Sequence, residues 1–295
     1  MNVEIRDARF TSVVGDNVEF EKIATGFRFT EGPLWHPKEN FLLFTDIAGN
    51  KISRWSQEEH VNTFREPSNM SNGLTYDQAG NVLACEHATS QVTRRDSAGT
   101  FIPIASHYEE KQLNSPNDIV CTPDGRIYFT DPPYGRVKFF GVKREQELPF
   151  QGVFRVGNDP EHPVLLVDDF DRPNGLCFSL DLQKLFVNDT ARQHIRVFDV
   201  QENDALSGGG VWAETKGNLP GAPDGMKIDS VGNLYCCGPG GIHVFAPDAT
   251  CLGVLRVPEY TANMTFGDAD FRSLYITASK SVYRIRTKVA GRPVF

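Results

Sequence analysis

One short sequence motif recurs six times along this chain of 295 residues. Each copy opens with a carboxylate or amide side chain, continues with one small, polar or apolar residue, and enters a mostly apolar run that is typical of a β-strand. Successive openings are 39 to 57 residues apart, and one four-stranded propeller blade needs a period of about 40 to 50 residues. The repeat predicts an all-β, six-bladed β-propeller that occupies residues 1–295 as a single domain. The opening residues are Glu31, Asn72, Asn117, Asn174, Asp224 and Asn263.

The strands after each opening also predict how the ring closes. Each copy contains a turn, a second strand such as Ile127–Asp131, and a third strand that alternates apolar with polar residues. A fourth, outer strand is recognisable after copies one to five but not after copy six. We expect residues 18–24, upstream of the first copy, to pair as the missing outer strand of the last blade, because this removes two exposed sheet edges.

Composition and charge exclude several classes of partner. Lys and Arg total 30 against 38 Asp and Glu, so the net charge is −8, and no basic run is dense enough to bind nucleic acid. The N-terminus lacks the apolar segment of a secretory signal, and no apolar run approaches the roughly 18 residues that span a bilayer. The six cysteines lack the spacing of a zinc site. We expect a cytoplasmic protein without membrane contact, either a monomer or a weak homodimer.

The six opening residues predict a site on the propeller axis. The innermost strands of a propeller line its central channel, so these side chains should form one ring of oxygen atoms. Each of them could simply cap a turn, as Asn and Asp commonly do. However, the carboxylates of Glu31 and Asp224 would repel each other in a narrow channel unless one took up a proton or a cation lay between them. Carboxylate and amide oxygens suit Ca²⁺, Mg²⁺ or Mn²⁺, with Zn²⁺ possible. The ring therefore predicts one divalent cation.

Taken together, several motifs carry a resemblance to a known family. They resemble the gluconolactonase branch of the family that also contains regucalcin (senescence marker protein) and luciferin-regenerating enzyme, over residues from about 31 to 285. The motifs are Glu31-Gly32-Pro33-Leu34-Trp35, Ser71-Asn72-Gly73-Leu74, Ala84-Cys85-Glu86-His87, Leu113-Asn114-Ser115-Pro116-Asn117-Asp118, Phe129-Thr130-Asp131-Pro132-Pro133-Tyr134-Gly135, Arg172-Pro173-Asn174-Gly175 and Pro223-Asp224-Gly225-Met226.

The resemblance implies a metal site and a catalytic residue. Members of this family are six-bladed propellers with one catalytic divalent metal in the channel. The resemblance implies that Glu31, Asn174 and Asp224 bind the metal, that Asn117 is a fourth ligand or a substrate contact, and that Asp224 is also the catalytic acid/base. Ca²⁺ is the expected ion. In regucalcin-like members an arginine takes the place of Ser115, so Ser115 is a candidate substrate contact, but the sugar contacts of that branch do not carry over.

The implied reaction is the hydrolysis of a sugar lactone of the gluconolactone type to its aldonic acid. A bound metal polarises the lactone carbonyl, while a carboxylate beside it removes a proton from the attacking water. Two alternatives stay open. The propeller could be an interaction scaffold with a structural Ca²⁺, or a hydrolase of the same fold could act on another lactone or ester.

Further substrate contacts are expected around the channel opening. His87 could contact substrate hydroxyls, act as an accessory base, or be a solvated loop residue. Asp131 and Tyr134 could line the pocket or only fix the Pro132-Pro133 turn. Arg136 is expected to be an exposed loop charge or a partner for a product carboxylate. The loop of residues 136–150 is either a lid over the channel opening or a solvated connection, and its residues Phe139 and Phe140 favour the lid.

Overall fold

Antiparallel β-sheets surround a central channel in the computed structural model, which describes residues 2–159 and 162–294. The innermost strand of each blade contacts that of the next, and the last contacts the first, so the ring is closed. The six-bladed propeller predicted from the repeat is therefore confirmed. Among the described residues, no helix is long and apolar enough to cross a membrane.

The blades follow one another in chain order. The segment before the first blade contains β1 (Val3–Ile5), the short helix α1 (Phe10–Val13) and β2 (Glu21–Thr25). Blade one contains β3 (Thr30–His36), β4 (Phe41–Asp46), β5 (Lys51–Ser56) and β6 (His60–Arg65). Blade two contains β7 (Ser71–Tyr76), β8 (Val82–Glu86), β9 (Gln91–Arg95) and β10 (Phe101–Ala105). A small hairpin of β11 (His107–Tyr108) and β12 (Lys111–Gln112) follows.

The second half of the ring continues this pattern. Blade three contains β13 (Ile119–Cys121), β14 (Ile127–Asp131), β15 (Gln151–Arg155) and β16 (Val164–Phe170), with a short 3-10 helix at Tyr134–Arg136. Blade four contains β17 (Pro173–Phe178), β18 (Lys184–Asp189), β19 (His194–Val200) and β20 (Leu206–Glu214). Blade five contains β21 (Met226–Ile228), β22 (Leu234–Gly238), β23 (Gly241–Phe245) and β24 (Cys251–Leu255). Blade six contains β25 (Thr261–Gly267), β26 (Ser273–Ala278) and β27 (Ser281–Arg286).

The N-terminal segment completes two blades. Strand β2 pairs antiparallel with β27 and supplies the outer strand of blade six, as predicted, although it begins at Glu21. Strand β1 pairs with β24 and adds a fifth strand to blade five, which the sequence did not predict because three residues are too few for a periodic signal. Between the two strands, Phe10 is fully buried in a core shared by blades five and six. The same segment therefore fastens two neighbouring blades.

The glycine that follows the opening residue in copies two and four of the motif has a steric role. A Cβ placed on Gly73 would lie 2.5 Å from the backbone oxygen of Asn117 on the next inner strand, and one on Gly175 would collide with the backbone of Asp224. The Gly73 N–H donates to that Asn117 oxygen at 2.8 Å. Glycine at these positions lets adjacent inner strands approach until their backbones bond directly. This close approach brings the opening residues of blades two and three, and those of blades four and five, next to each other.

Candidate active site

The opening residues of the repeat converge at one end of the channel, which we call the front pocket. It has a cavity volume of about 240 Å³. Five of the six opening residues line it, and the sixth, Asn263, lies beside Glu31 and donates from Nδ2 to Glu31 Oε2 at 3.0 Å. The residues that line the front pocket are Phe29, Glu31, Ile47, Asn72, His87, Asn117, Tyr134, Phe140, Asn174, Thr190, Asp224 and Tyr260.

The amides of the ring form a chain of hydrogen bonds from blade to blade. Asn72 Nδ2 donates to Asn117 Oδ1, and Asn117 Nδ2 donates to Asn174 Oδ1 at 2.6 Å. Asn174 Nδ2 in turn donates to Thr190 Oγ1 at 3.2 Å. Because each amide nitrogen donates toward the next blade, the Asn117 and Asn174 oxygens face the preceding blade. The three side chains are held without requiring solvent.

Two carboxylates share the opposite side of the same ring. Glu31 is 3% exposed, and its Oε2 accepts from the N–H of Gly32. Burial, and then the charge of Asp118, raise the pKa of Glu31. Asp224 is partly exposed to the pocket, and its pKa is raised well above its usual value by burial and then by the negative charges of Glu31 and Asp118. The two acids are thus close enough that ionising both is unfavourable.

Asp118 adds a third acid one residue deeper in the channel. It is 4% exposed, and its Oδ1 accepts from the N–H of Ile119 at 2.9 Å. Its Oδ2 is buried and has no hydrogen-bond partner among the described residues. Burial raises the pKa of Asp118, and the ammonium group of Lys227 opposes that rise. When all three acids are ionised, the ammonium group of Lys227 offsets one of their three negative charges.

This arrangement fits one divalent cation. This part of the channel then has an excess of two negative charges, and the ring residues offer carboxylate and amide oxygens as ligands. Hard oxygen donors of this kind suit Ca²⁺ and Mg²⁺. Across residues 2–159 and 162–294, no three His, Cys, Asp or Glu side chains gather into a metal-binding group. A ligand set here would therefore combine the two ring carboxylates with amide oxygens.

His87 lies inside the front pocket and is not a solvated loop residue. It is 1% exposed, and its Nδ1 donates to the backbone oxygen of Phe140 at 2.8 Å. Its Nε2 lies 3.3 Å from both Asn72 Nδ2 and Asn117 Oδ1. Burial lowers the pKa of His87 to about 4, so the imidazole is neutral at physiological pH.

Ser115 and Asp131 lie outside the lining of the front pocket and hold the turn that carries Tyr134. The Asp131 carboxylate accepts from the N–H groups of Asn114 at 2.7 Å and Ser115 at 2.8 Å. The Ser115 hydroxyl donates to the Pro132 oxygen at 2.5 Å and accepts from the Gly135 N–H at 2.8 Å. Tyr134 follows this turn and lines the pocket, where burial raises its pKa to about 12.

The loop of residues 136–150, called the cap here, is anchored over the pocket by two arginines. Arg136 is 6% exposed and donates to the backbone oxygens of Leu113, Asn114 and Glu145 at 2.6 Å each. The expectation that Arg136 is an exposed loop charge is therefore wrong, because it is buried against three backbone carbonyls, and it is not among the residues that line the front pocket. Arg144 donates to the oxygens of His87 and Ala88.

One of the two cap phenylalanines faces the pocket. Phe140 lines it and packs edge to face against Phe29 of the opposite rim, with ring centroids 4.9 Å apart. Phe139 is 47% exposed and lies beside the Arg28 guanidinium, 5.8 Å from ring centroid to Cζ. The cap therefore narrows the pocket entrance through the side chain of Phe140.

Two lining residues, Ile47 and Thr190, were missed because their signal is a second repeat, which the predicted residue His87 shares. Acids end the second strands of copies one to four, and the side chains of these acids bond to nearby loops. Asp46, for example, accepts from the N–H groups of Arg28 and Phe29. The residue immediately after the acid lines the pocket in copies one, two and four, as Ile47, His87 and Thr190. Aligning the acids Asp46, Glu86, Asp131 and Asp189 could have found these positions.

Phe29 and Tyr260 have a weaker signal, since each lies in the loop before an opening residue. Tyr260 is buried near the acids, and its pKa is raised by burial and then by the charge of Asp224. Loop residues of this kind reach the pocket through tertiary structure that no local pattern encodes.

Comparisons with known proteins find relatives over most of the chain. Residues 29–280 match the family described as "SMP-30/Gluconolactonase/LRE-like region". A gluconolactonase from Zymomonas mobilis is 33% identical over 306 residues, which cover 96% of this chain and 85% of that protein. A gluconolactonase of known structure from Xanthomonas campestris is 29% identical with a TM-score of 0.89, covering 97% of this chain and 95% of the other.

A more distant structure has the same fold. Regucalcin from Agrobacterium tumefaciens, a calcium-binding protein, is 19% identical with a TM-score of 0.76, and the match covers 96% of each chain. The sequence repeat and the closed ring are consistent with the family match, which covers most of the chain. The chain therefore belongs to the SMP-30/gluconolactonase/LRE-like family.

Proposed function

We propose that this protein hydrolyses a sugar lactone of the gluconolactone type to its aldonic acid and depends on one divalent cation. The observation that carries the proposal is the meeting of Glu31, Asn174 and Asp224, from blades one, four and five, in one pocket at the end of the channel. The likeness of this chain to gluconolactonases supports lactone hydrolysis as the reaction class.

Glu31, Asn174 and Asp224 are the proposed cation ligands, with Asn117 as a fourth ligand or a substrate contact. Ca²⁺ is the first candidate, and Mg²⁺, Mn²⁺ and Zn²⁺ are alternatives. The excess negative charge of the channel and the oxygen donors support this assignment, as does the likeness to a calcium-binding regucalcin. When bound, the cation supplies positive charge that polarises the lactone carbonyl.

Asp224 is the proposed catalytic acid/base. Glu31 is deeply buried and bonded to Gly32 and Asn263, whereas Asp224 is partly open to the pocket and can reach a water molecule. Its carboxylate takes a proton from the water as the water oxygen bonds to the carbonyl carbon. The bond from that carbon to the ring oxygen then breaks, and Asp224 returns the proton to the ring oxygen, which becomes a hydroxyl.

The rest of the pocket binds and orients the substrate. The rings of Phe29 and Phe140 form an apolar wall for the C–H face of a sugar, and the hydroxyl of Tyr134 is a candidate partner for substrate hydroxyls. His87 is a candidate contact on the side of blade two. We assign Ser115 and Asp131 an indirect role, since they hold the turn that places Tyr134.

A lactone panel tests the proposal. Acid release is measured with hexonolactones, pentonolactones and alkyl lactones, before and after chelation, and after separate addition of Ca²⁺, Mg²⁺, Mn²⁺ and Zn²⁺. We expect the greatest turnover with a sugar lactone, loss on chelation and recovery with one cation. Turnover that survives complete removal of divalent ions would overturn the cation dependence. A folded protein inactive on every lactone with every cation would overturn the enzymatic function.

A further inference from the structure

We propose that His87 is a positioning residue that joins the cap to the amide ring and fixes the direction in which Asn72, Asn117 and Asn174 point. The hydrogen-bond chain itself is independent of any activity. Its consequence for cation binding rests on the proposed function.

The chain starts on the cap at a group that can only accept. The backbone oxygen of Phe140 receives the hydrogen bond from His87 Nδ1 at 2.8 Å, so Nδ1 carries the proton. In the neutral ring, Nε2 is then an acceptor. Asn72 Nδ2, 3.3 Å away, is the donor that this lone pair requires. The second hydrogen of the same Asn72 nitrogen points to Asn117 Oδ1.

The far end of the chain also stops at a group that can only accept. The Thr190 hydroxyl donates to the backbone oxygen of Pro223 at 2.7 Å, so it receives the hydrogen bond from Asn174 Nδ2. The Asn174 oxygen must then face the other way, where it accepts from Asn117 Nδ2 at 2.6 Å. Two carbonyls, one on the cap and one beside Asp224, therefore impose the same direction on every amide between them.

This direction assigns different tasks to the two inner amides. The Asn117 oxygen accepts from Asn72 Nδ2, while its nitrogen donates to the oxygen of Asn174. An amide oxygen has two lone pairs, so the Asn174 oxygen keeps one for a cation after accepting from Asn117. In this arrangement Asn117 orients a cation ligand, and His87 sets the orientation of Asn117 through Asn72. Residues that orient ligands in this way affect metal affinity about 10- to 100-fold.

The protein contains a matched control for His87. His243 is also 1% exposed and also bonds to a backbone carbonyl, but through Nε2 to Pro239 at 3.0 Å, and it lies in β23, away from the front pocket. The two buried histidines should therefore be opposite tautomers, with the proton on Nδ1 in His87 and on Nε2 in His243.

The first test measures these tautomers directly. Two-bond ¹H–¹⁵N correlation spectra of the cation-free protein, labelled at histidine, report which nitrogen of each neutral imidazole is protonated, and the variants His87→Phe and His243→Phe assign the signals. We expect the Nδ1–H form at His87 and the Nε2–H form at His243. An Nε2–H or doubly protonated His87 at neutral pH overturns the proposal, whether or not the protein hydrolyses lactones.

The second test measures the coupling to the site. His87→Phe keeps a planar aromatic ring at this position and removes both hydrogen bonds, and we expect it to weaken the binding of Ca²⁺ about 10-fold, measured by calorimetry. In His87→Gln the amide returns an acceptor near the Nε2 position and should recover most of the affinity. His243→Phe should leave the affinity unchanged. Wild-type affinity in a folded His87→Phe protein overturns the proposal, as does equal weakening in His87→Gln.

Failure of this inference differs visibly from failure of the proposed function. If the proposed function fails, wild-type protein shows no cation-dependent lactone hydrolysis, while the tautomer spectra still decide the hydrogen-bond chain. If only the inference fails, wild-type protein is active and the His87 spectra or variants behave as stated above.

Discussion

The two ends of the propeller channel are built from the same inner strands but have different chemistry. At the front, the ring residues bond to one another from blade to blade. At the other end lies a second cavity of about 170 Å³, called the rear cavity here. Apolar side chains such as Leu74, Ile119 and Phe266 line it, together with Lys227 and residues 292–294 near the C-terminus.

The difference shows how a propeller separates function from stability along each strand. In β7, Asn72 belongs to the front ring, and Leu74, two residues later, is 6% exposed at the rear cavity. Front residues gather groups whose ionisation is unfavourable, whereas rear residues contribute to the free energy of folding through buried apolar surface. Substitutions at the two ends should therefore separate turnover from stability.

The largest effect is expected at the front carboxylates. Asp224→Ala and Glu31→Ala should lower kcat/KM by about 10³-fold or more, because the proton acceptor or a cation ligand is lost. Cation binding, measured by calorimetry, should fall with it. Circular dichroism should show an intact fold, and melting temperature in chelator should not fall, because each variant removes a buried charge. Turnover close to that of wild type in either variant would show that the front carboxylates are not needed for catalysis.

Truncation at the rear should have the opposite profile. Leu74→Ala should lower the free energy of unfolding by about 3 kcal/mol, because it removes a buried side chain and leaves a cavity. The kcat of the folded fraction and its cation affinity should stay within about twofold of wild type. Val231→Ala, at a side chain that is 58% exposed, is the control and should change stability by less than about 0.5 kcal/mol. A large loss of kcat in Leu74→Ala would show that the two ends are coupled.

Cation affinity should depend on pH through the front acids. Burial and mutual repulsion raise the pKa of Asp224, so protons compete with the cation as the pH falls through that value. Affinity should fall by up to about tenfold per pH unit for each proton displaced. Without the cation, the pH trend of stability runs the other way. In chelator the folded state holds the proton of Asp224 more tightly than the unfolded chain does, so the free energy of unfolding should decrease as the pH rises toward the raised pKa. Calorimetry and thermal melts across the pH range measure both trends. A pH-independent affinity would contradict the assignment of these acids.

The smallest effect is expected from the apolar rim of the front pocket. Phe140→Ala removes the wall that faces Phe29 and should raise the KM for a sugar lactone about threefold to tenfold, with kcat little changed. The same change should favour bulkier lactones in relative kcat/KM. Phe139→Ala, at the neighbouring exposed ring, is the matched control. Equal kinetics in the two variants would mean that the cap does not shape the pocket.

The sequence predicted the parts of the site that repeat with the blades. The ring at Glu31, Asn72, Asn117, Asn174 and Asp224 follows from one residue per copy, and the closing strand follows from the copy that lacks a fourth strand. Arg136 was misplaced because a charged loop residue gives no sign of the carbonyls that bury it. Tyr260 was missed because nothing local to it indicates that the fold places it near Asp224.

The direction of the hydrogen bonds between the ring amides could not be predicted from the sequence either. Asn72, Asn117 and Asn174 are identical in type, and only the carbonyls of Phe140 and Pro223 at the two ends determine which way their amides face. A motif specifies the residue types of a site, while the surrounding backbone specifies their orientation.

The closing strand has a consequence for the order of events during synthesis. Strand β2 is synthesised before any of the six blades, yet its partner β27 ends at Arg286, so β2 must remain unpaired until blade six has emerged from the ribosome. Contacts between such distant residues are slow to form. Nascent chains halted before blade six should therefore expose the unpaired strand β2 and be prone to aggregate, and completion of blade six should give β2 its partner.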